Sequence, residues 1–467
     1  MKDEKTAGQL LQEQLCDKAK NSYEIMSQEE LQKAESFCED YKAFLDRAKT
    51  EREAVDSIIE MLKKEGYQEF ALGTKYAPGD KVYYNNRGKA LICATLGTEP
   101  LEQGVYIAAS HIDSPRLDLK PRPVYEDTEL ALFKTHYYGG IKKYQWTAIP
   151  LALHGVVIKR DGETVKVNIG EDEQDPIFCV TDLLPHLATE QSKRTLAEGV
   201  KGEELNILIG SRPFKDDKAS EKVKLNILSI LHEKYGMVES DFLSAELVLV
   251  PAFKAKDLGL DRSMIGAYGH DDRVCAYTSL MATLHCKAPK KTSVVIFADK
   301  EETGSEGNTG LDSRFLEYFI SDLAAPYGVE GRTVLQNSMC LSADVNVAFD
   351  PTFPDVVERR NTAYLNYGVV VTKYTGARGK SSTSDASAEF MGRVRSVLDQ
   401  AGVVWQTGEL GKVDFGGGGT VAKYIAGLSV DVVDVGVPVL SMHAPFEVVA
   451  KNDVYNTYRA FYEFLNQ

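Results

Sequence analysis

Two adjacent glutamates, Glu301 and Glu302, follow the apolar run Val294–Phe297 in the segment ADKEETGSEG. Like charges in neighbouring positions raise the free energy of the folded chain unless a proton or a cation neutralises one of them. If Glu302 binds a metal ion, Glu301 can stay free and accept a proton from water, as a general base does. Adjacent residues on a regular strand face opposite ways, so this interpretation requires an irregular backbone at TGSEG. The alternative is a solvated acidic loop.

Four more segments carry acidic or imidazole side chains at the end of a strand-like run. These segments are SHIDSP with His111 and Asp113, GHDDR with Asp271 and Asp272, SADVN with Asp344, and SMHAPFE with His443. In open α/β sheets, ligands gather at the carboxyl ends of strands. One aspartate in a turn is more often a helix cap than a ligand. Five strand ends of this kind in one chain instead favour a shared site.

The side chains in these segments match a centre of two metal ions. Two histidines and three carboxylates can hold two divalent ions about 3.5–4 Å apart if one carboxylate is shared between the ions. Nitrogen and oxygen ligands suit Zn²⁺, with Co²⁺ or Mn²⁺ as substitutes. Asp271, in a loop before a predicted helix, is the best candidate for the shared ligand. The alternative is that Asp271 and Asp272 only cap that helix.

Asp113 lies two residues after His111, so both side chains would face the same side of an extended segment. A carboxylate in this position can fix the tautomer of a ligating histidine through its second ring nitrogen. A turn-forming aspartate before Ser-Pro is the alternative.

Two glycine-rich segments are candidates for contact with a ligand. In DFGGGGTVAKYIA, the backbone N–H groups near Gly417 and Gly418 would be free to bind a carbonyl or an anion, unless the segment is only a tight connection to a helix. TGARGKSS, Thr375–Ser382, is similar to a phosphate-binding loop, but the full pattern requires glycine where this chain has Tyr374. A solvated basic turn is favoured there, and nucleotide binding is the alternative.

The composition limits the classes of protein that would carry this site. The chain has 467 residues, 43% of them hydrophobic and 26% charged, which is typical of a soluble globular protein of two or three domains. A net charge of −15 argues against nucleic acid and anionic membranes as partners. Seven cysteines without a C-x-x-C pair argue against a disulfide framework and a thiolate zinc site. The N-terminus has no apolar signal segment, so we expect a cytoplasmic protein.

The order of predicted elements indicates how the site is assembled. Residues 5–66 show the spacing of helices, and from about residue 242 strands and helices alternate, which predicts an α/β fold with a mostly parallel sheet. Short strands with frequent turn signals fill residues 116–241. We therefore predict a catalytic domain in two parts, 1–115 and 242–467, with an inserted β-rich domain at 116–241.

The ordered set SHIDSPRLDLKP, GHDDR, DKEETGS, SADV and LSMHAPFE resembles the aspartyl aminopeptidase / aminopeptidase I family of zinc metallopeptidases over most of the chain. The resemblance implies a three-layer α/β/α zinc-peptidase domain with an inserted β-rich domain for subunit contacts and access to the site. It also implies two Zn²⁺ per subunit, peptide substrates, and a homo-oligomer in the form of a tetrahedral dodecamer with an inner chamber.

The resemblance also assigns roles to single positions. It implies that His111, Glu302, Asp344 and His443 are metal ligands, that Asp271 bridges the ions and is followed by a cis peptide bond, that Asp113 lies behind His111, and that Glu301 is the catalytic base.

Two departures from the family pattern bear on the substrate. Aspartyl aminopeptidases have a Pro-x-Leu-Ala-x-His segment whose histidine reaches the active site of a neighbouring subunit. This chain has PHLATE, with Glu190 in place of that histidine and His186 nearby as a candidate substrate-binding residue. His443 is followed by Ala-Pro, where the acidic-substrate enzymes carry a different turn. These differences favour a broad, neutral or basic preference over strict Asp/Glu specificity.

The expected activity is therefore removal of single N-terminal residues from peptides by a dizinc aminopeptidase. Four alternatives remain: an aspartyl/glutamyl-specific aminopeptidase, a carboxypeptidase or N-deacylase with the same metals, a nucleotide-binding protein that uses Thr375–Ser382, and an inactive scaffold.

Overall fold

A computed structural model describes residues 5–467 of the chain. In this range the helices are α1 Ala7–Leu15, α2 Ser22–Ile25, α3 Gln28–Arg47, α4 Glu51–Lys64, α5 Lys222–Tyr235, α6 His270–His285, α7 Phe315–Ala324, α8 Gly331–Gln336, α9 Ala388–Gln400, α10 Ala422–Ala426 and α11 Lys451–Leu465. The strands are β1 Gln68–Glu69, β2 Lys81–Asn86, β3 Ala90–Thr95, β4 Tyr106–His111, β5 Arg116–Asp127, β6 Leu130–Tyr138, β7 Leu151–Ile158, β8 Thr164–Ile169, β9 Cys179–Val180, β10 Ile207–Gly210, β11 Ala245–Pro251, β12 Lys256–Leu258, β13 Met264–Ala267, β14 Ser293–Ala298, β15 Met339–Ser342, β16 Asn346–Val347, β17 Val369–Thr372, β18 Trp405–Thr407, β19 Asp431–Gly436, β20 Pro438–Leu440 and β21 Glu447–Ala450.

The main sheet is nine-stranded over the described residues, in the order β1-β2-β3-β14-β4-β15-β19-β17-β18. Its four central strands, β14, β4, β15 and β19, are parallel to one another. Antiparallel pairs flank them at β2–β3, β3–β14 and β17–β19, but five of the eight pairs among the described strands are parallel, so the sheet is mixed and mostly parallel, as predicted. A short turn is enough to join β2 to β3, whereas parallel neighbours need a crossover connection.

Helices cover both faces of the main sheet because its central strands are apolar on both sides. On β4, Tyr106 and Ala108 face a core formed with α3, α4, α6, α9 and α11. Ile107 and Ala109 face a second core formed with α7, α8 and α10. This arrangement confirms the predicted three-layer α/β/α domain.

A second sheet has seven strands within the described range, in the order β8-β7-β11-β5-β6-β10-β9, and a separate apolar core. Its neighbouring strands pair antiparallel, as expected for a β-rich unit. The sequence prediction ended this unit at residue 241 and assigned Ala245–Pro251 to the catalytic domain. That strand, β11, pairs along its whole length with β7 and also with β5. We therefore propose that the inserted unit runs from residue 116 to residue 251.

A third, smaller sheet has the order β12-β13-β21-β20-β16 and brings the chain after β20 close to the start of α6. The register of β13 and β21 pairs Ala267 with Glu447. This pairing brings the segment after β13, which carries Asp271, next to the segment before β21, which carries His443. In the part of the chain that the structure describes, no helix combines the length and the apolar character that crossing a membrane requires.

Candidate metal centre and active site

The parallel register of the central strands gathers His111, Glu301 and Asp344 at one edge of the main sheet, whereas Asp271 and His443 follow β13 and β20 of the third sheet. His111 is the last residue of β4 and is paired in register with Ala298 of β14. Glu301 follows the end of β14 by three residues, and Asp344 follows the end of β15 by two. Because β14 and β15 are the two neighbours of β4, their carboxyl ends place these side chains around His111.

Two groups of candidate metal ligands share Asp271. One group is His111, Asp271 and Asp344, and the other is Asp271, Glu302 and His443; in each group the donor atoms lie within 4.8 Å of one another. Asp271 directs Oδ1 to Nε2 of His111 at 3.2 Å and Oδ2 to Nε2 of His443 at 3.2 Å. The structure thus brings together all five residues that were predicted to bind metal, with Asp271 in the shared position.

Glu301 lies beside both groups and belongs to neither. Its Oε2 is 3.9 Å from Nε2 of His111. The backbone leaves strand geometry as predicted, since Lys300 has a left-handed φ of 72° and Glu301–Thr303 form a 3₁₀ turn. That turn lets Glu301 and Glu302 point to the same edge of the sheet.

Asp113 connects the segment of His111 to the glutamate turn. Its carboxylate accepts the backbone N–H of Glu301 at Oδ1 and that of Glu302 at Oδ2, each at 3.2 Å. Nδ1 of His111 lies 3.3 Å from Oδ1 of Asp113 and 3.1 Å from its main-chain oxygen. Both oxygens are acceptors, so Nδ1 carries a proton, and Nε2 is the ring nitrogen that faces Asp271. The peptide bond between Asp271 and Asp272 is cis.

Three residues that contact the site were missed by sequence reasoning. Tyr138 donates its hydroxyl to Oδ2 of Asp113 at 2.7 Å, and the main-chain oxygen of Gly140 accepts Nδ1–H of His443 at 2.9 Å. Glu447 accepts the backbone N–H of Asp271 at 3.0 Å and that of His443 at 2.7 Å. A carboxylate four residues after His443 in SMHAPFE was a usable signal for Glu447, whereas nothing in the sequence pointed to Tyr138 or Gly140.

The site contains more acidic groups than its two histidines can balance. Burial, together with the charge of Asp271, raises the pKa of Glu302 well above its usual range. Burial also raises the pKa of Glu301, to about 7, with the charges of Asp113 and Asp271 acting in the same direction. Burial opposes protonation of His443, but its hydrogen bond to Asp271 and the charge of Glu302 raise the pKa of this imidazole to about 10. A bound cation would relieve this imbalance.

The residues present fit zinc. Two imidazole nitrogens and three carboxylates form a donor set that zinc accepts. Among the described residues, Oε1 of Glu302 is a buried oxygen without a hydrogen-bond partner, which a metal ion would satisfy.

A cleft opens beside the two groups of ligands. It is lined by Gly140, Glu301, Glu302, Gly304, Ser305, Ser382, Gly419, Thr420, Lys423, Tyr424 and His443. Gly419 and Thr420 thus line the cleft in place of the predicted Gly417 and Gly418. Gly418 instead accepts the backbone N–H of Gly376 at 2.8 Å, and a Cβ atom on Gly417 would lie 1.7 Å from the oxygen of Gly376. The glycines there allow two loops to pack closely.

Two other predicted segments contribute no residue to the two groups of ligands, although Ser382 lines the cleft. His186 is exposed, on the turn Pro185–Leu187, and is not among the described residues that line the cleft. Thr375–Ser382 does not lead into a helix, since an Ala377–Ser381 bridge closes it and α9 begins only at Ala388. A phosphate-binding loop needs a strand before it and a helix directly after it. The basic-turn interpretation is therefore the one that the backbone supports.

The comparisons with known proteins agree with this geometry. Residues 44–465 match the family described as aminopeptidase I zinc metalloprotease (M18). A probable M18 family aminopeptidase 1 from Clostridium acetobutylicum is 50% identical over 455 residues, which cover 96% of this chain and 98% of that protein.

Solved structures of M18 aminopeptidases are also similar to this chain over nearly its whole length. The crystal structure of an M18 aminopeptidase from Thermotoga maritima superimposes with a TM-score of 0.92 at 45% identity and covers 96% of this chain and 99% of that one. Aminopeptidase I from Clostridium acetobutylicum gives a TM-score of 0.91 at 48% identity, with 97% and 100% coverage. The structure of the S. cerevisiae mApe1 dodecamer shares the fold, with a TM-score of 0.73 at 22% identity, and covers 91% of this chain and 95% of that one.

The described site, the match along nearly the whole chain and these relatives lead to one conclusion: the chain belongs to the aminopeptidase I (M18) family of zinc metallopeptidases and is a metallo-aminopeptidase, a peptide hydrolase.

Proposed function

We propose that this aminopeptidase binds two zinc ions per subunit and removes one N-terminal residue at a time from peptides. The observation that supports two ions is the position of Asp271, whose two oxygens lie 3.2 Å from Nε2 of two different histidines. His111 and Asp344 would hold one ion, and Glu302 and His443 the other, with Asp271 bound to both. Co²⁺ and Mn²⁺ accept the same ligands and are proposed as substitutes.

Glu301 is the proposed catalytic base. Zinc bound here supplies Lewis-acid polarisation of the scissile carbonyl and a lowered pKa for water. Glu301 belongs to neither ligand group and lines the cleft, so its carboxylate is placed to take a proton from water and to return it to the leaving amine. Asp113 keeps the proton of His111 on Nδ1 and fixes the turn that carries Glu301.

Glu301→Gln tests this assignment. A glutamine keeps the size of the side chain but does not accept the proton, so we expect two zinc ions per chain and a turnover number lower by about 10²–10⁴-fold. Metal analysis and peptide hydrolysis are measured on the same sample. The matched control is Glu306→Gln, an exposed acid in the same loop, which should keep full activity. Loss of zinc from Glu301→Gln would mean that the roles of Glu301 and Glu302 are reversed.

We propose that the enzyme accepts a broad range of N-terminal residues or prefers neutral or basic ones. The PHLATE segment and the Ala-Pro pair after His443 support this proposal. We further propose that Gly419 and Thr420 contact the peptide backbone and that Gly417 and Gly418 support their loop. His186 is exposed and outside the cleft of its own chain, so its proposed contact is with a peptide bound to a neighbouring subunit.

A preference for acidic N-terminal residues is the second candidate, because one residue favours it. Apart from His443, Lys423 is the basic side chain that lines the cleft among the described residues. Initial rates on a panel of aminoacyl amides decide between the candidates. If Lys423 recognises an acidic side chain, Lys423→Gln will lower kcat/KM for aspartyl and glutamyl amides alone. The exposed Lys287→Gln is the control.

We propose a dodecamer and a cytoplasmic location. The S. cerevisiae structure of this fold is a dodecamer. Large apolar side chains in the inserted unit are exposed in the single chain, as a subunit interface would require: Ile177, Leu183, Leu184, Leu187 and Leu196. All seven cysteines are free, which agrees with a reducing compartment.

A further inference from the structure

The end of β6 reaches from the second sheet into the metal centre of the catalytic domain. Tyr138 is the last residue of β6 and is 8% exposed. Its hydroxyl donates to Oδ2 of Asp113 at 2.7 Å. A contact of this length, from a neutral donor to a fully buried carboxylate, is a strong hydrogen bond.

Asp113, which accepts the Tyr138 hydroxyl, also contacts three other parts of the site. Its two carboxylate oxygens also accept the backbone N–H groups of Glu301 and Glu302 and lie beside Nδ1 of His111. Among the described groups bonded to this carboxylate, the Tyr138 hydroxyl is the donor that comes from the second sheet. Removing it would leave Asp113 held only by segments of the catalytic domain.

Gly140 makes the second contact, two residues further along the chain. Its main-chain oxygen is 2.9 Å from Nδ1 of His443. A carbonyl oxygen can only accept, so Nδ1 of His443 carries the proton and Nε2 faces Asp271 and Glu302. The same short segment thus sets the orientation of both candidate ligand histidines, of His111 through Asp113 and of His443 directly.

The ring of Tyr138 is fixed by two cations. The guanidinium of Arg116 lies 4.1 Å from the ring centroid, and the ammonium of Lys300 lies 5.6 Å from it. Arg116 is itself bound to Glu51, at the start of α4, at 2.8 Å. The hydroxyl therefore points at Asp113 from a ring held between the second sheet and the catalytic domain.

From these contacts we propose that the segment Tyr138–Gly140 is a positioning element of the metal centre, through which the inserted unit orients His111, His443 and the turn of Glu301 and Glu302. The inserted unit then has a direct part in zinc binding, in addition to the subunit contacts proposed for it. This inference rests on the proposed zinc ligands and concerns residues outside the two ligand groups, of which Gly140 also lines the cleft.

The test is the rate at which the zinc-loaded enzyme gives up zinc to a coloured chelator. Tyr138→Phe removes the hydroxyl and keeps the ring between its two cations. We expect zinc release to become faster by up to about 10–100-fold, because loss of a hydrogen-bond partner behind a ligand lowers metal affinity by about that factor. We also expect kcat to fall with KM nearly unchanged, because the peptide does not touch Tyr138. Tyr137→Phe is the matched control, since Tyr137 is 38% exposed and should release zinc like the wild type.

A second variant keeps the proposal testable if Tyr138→Phe does not fold. A Cβ atom on Gly140 would already be in van der Waals contact with Nδ1 of His443, at 3.4 Å, so the two further methyl groups of Gly140→Val should crowd the imidazole and also speed zinc release. Gly392→Val, in open space on α9, is its control. Wild-type zinc release in a folded Tyr138→Phe or Gly140→Val variant would overturn the proposal. A wild-type protein that binds no zinc would instead reject the proposed function itself.

Discussion

At the scale of single residues, the proposed centre depends on one buried carboxylate whose two oxygens face two different histidines. Asp271 receives opposing influences: burial favours its neutral form, but hydrogen bonds from His111 and His443 lower its pKa below the usual range. Its backbone N–H is bound to Glu447, so the main chain as well as the side chain is fixed. The charge of Asp271 is therefore stabilised by its surroundings even before a metal ion is considered.

Asp271→Asn tests the bridging role. The amide keeps one oxygen and replaces the other by an N–H₂ group, which cannot bind a cation. We expect zinc to fall from two ions per chain to one or fewer. We expect activity to fall by at least about a hundredfold, since metal polarisation contributes several kcal/mol. Metal content by atomic absorption and peptide hydrolysis measure the two effects. Asp312→Asn, an exposed aspartate near the cleft, should change neither, and retention of two ions by Asp271→Asn would contradict the bridge.

At the scale of elements, α4 is joined to the second sheet by a set of charges around one buried histidine. His154 on β7 is 2% exposed, with Nδ1 2.7 Å from Glu53 of α4 and Nε2 3.0 Å from Glu171 after β8. Lys49 and Lys254 also contact Glu171, at 2.7 Å and 2.6 Å. Burial disfavours a charged His154, but its hydrogen bonds to Glu171 and Glu53 raise its pKa above the usual value.

Because of this cluster, we expect the free energy of unfolding to depend on pH. Because the pKa of His154 is higher in the folded chain, its contribution to stability is complete below the unfolded pKa of about 6.5 and is lost as the pH rises through the folded value. His154→Gln should lower the free energy of unfolding by about 1–3 kcal/mol at pH 6 and by less at pH 9. Urea unfolding of both proteins across this range measures the difference. His136→Gln, which changes an exposed histidine, should show no such trend, and a difference independent of pH for His154→Gln would refute this account.

At the scale of the whole molecule, the inserted unit presents the apolar surface expected of a subunit interface. Leu184 and Leu187 are 55% and 71% exposed. Such side chains would be covered in the proposed dodecamer, whose inner chamber would admit short peptides and exclude folded proteins. The single chain contains both groups of metal ligands, so assembly is proposed to control access and the contribution of His186.

Leu184→Glu combined with Leu187→Glu tests the assembly. We expect the wild type to sediment at close to twelve times the 51.6 kDa mass of the chain. Because burying charges at an interface is unfavourable, we expect the double variant to sediment as smaller species. Zinc content should not change. Leu72→Glu, at a leucine that is 75% exposed outside the inserted unit, should sediment like the wild type. A double variant of undiminished mass would place the interface elsewhere.

The sequence by itself predicted the candidate ligands of the site and determined much of the layer structure. Apolar strands that end in histidine or carboxylate predict ligands at one sheet edge, because the carboxyl ends of parallel strands meet there. His111, Asp271, Glu302, Asp344 and His443 were identified in this way. The irregular turn at Glu301 followed from the need to bring two adjacent side chains to one side of the backbone.

Only the tertiary structure decided which sheet each strand joins and which residues the two sheets bring into contact. The strand Ala245–Pro251 has the same apolar pattern in either sheet, and its partners β7 and β5 are set by long-range pairing that local periodicity does not encode. Tyr138 and Gly140 reach Asp113 and His443 across the same junction. A hydroxyl and a main-chain carbonyl carry no sequence signal for such contacts, because their partners lie far away in the chain and meet them only when the second sheet packs against the first.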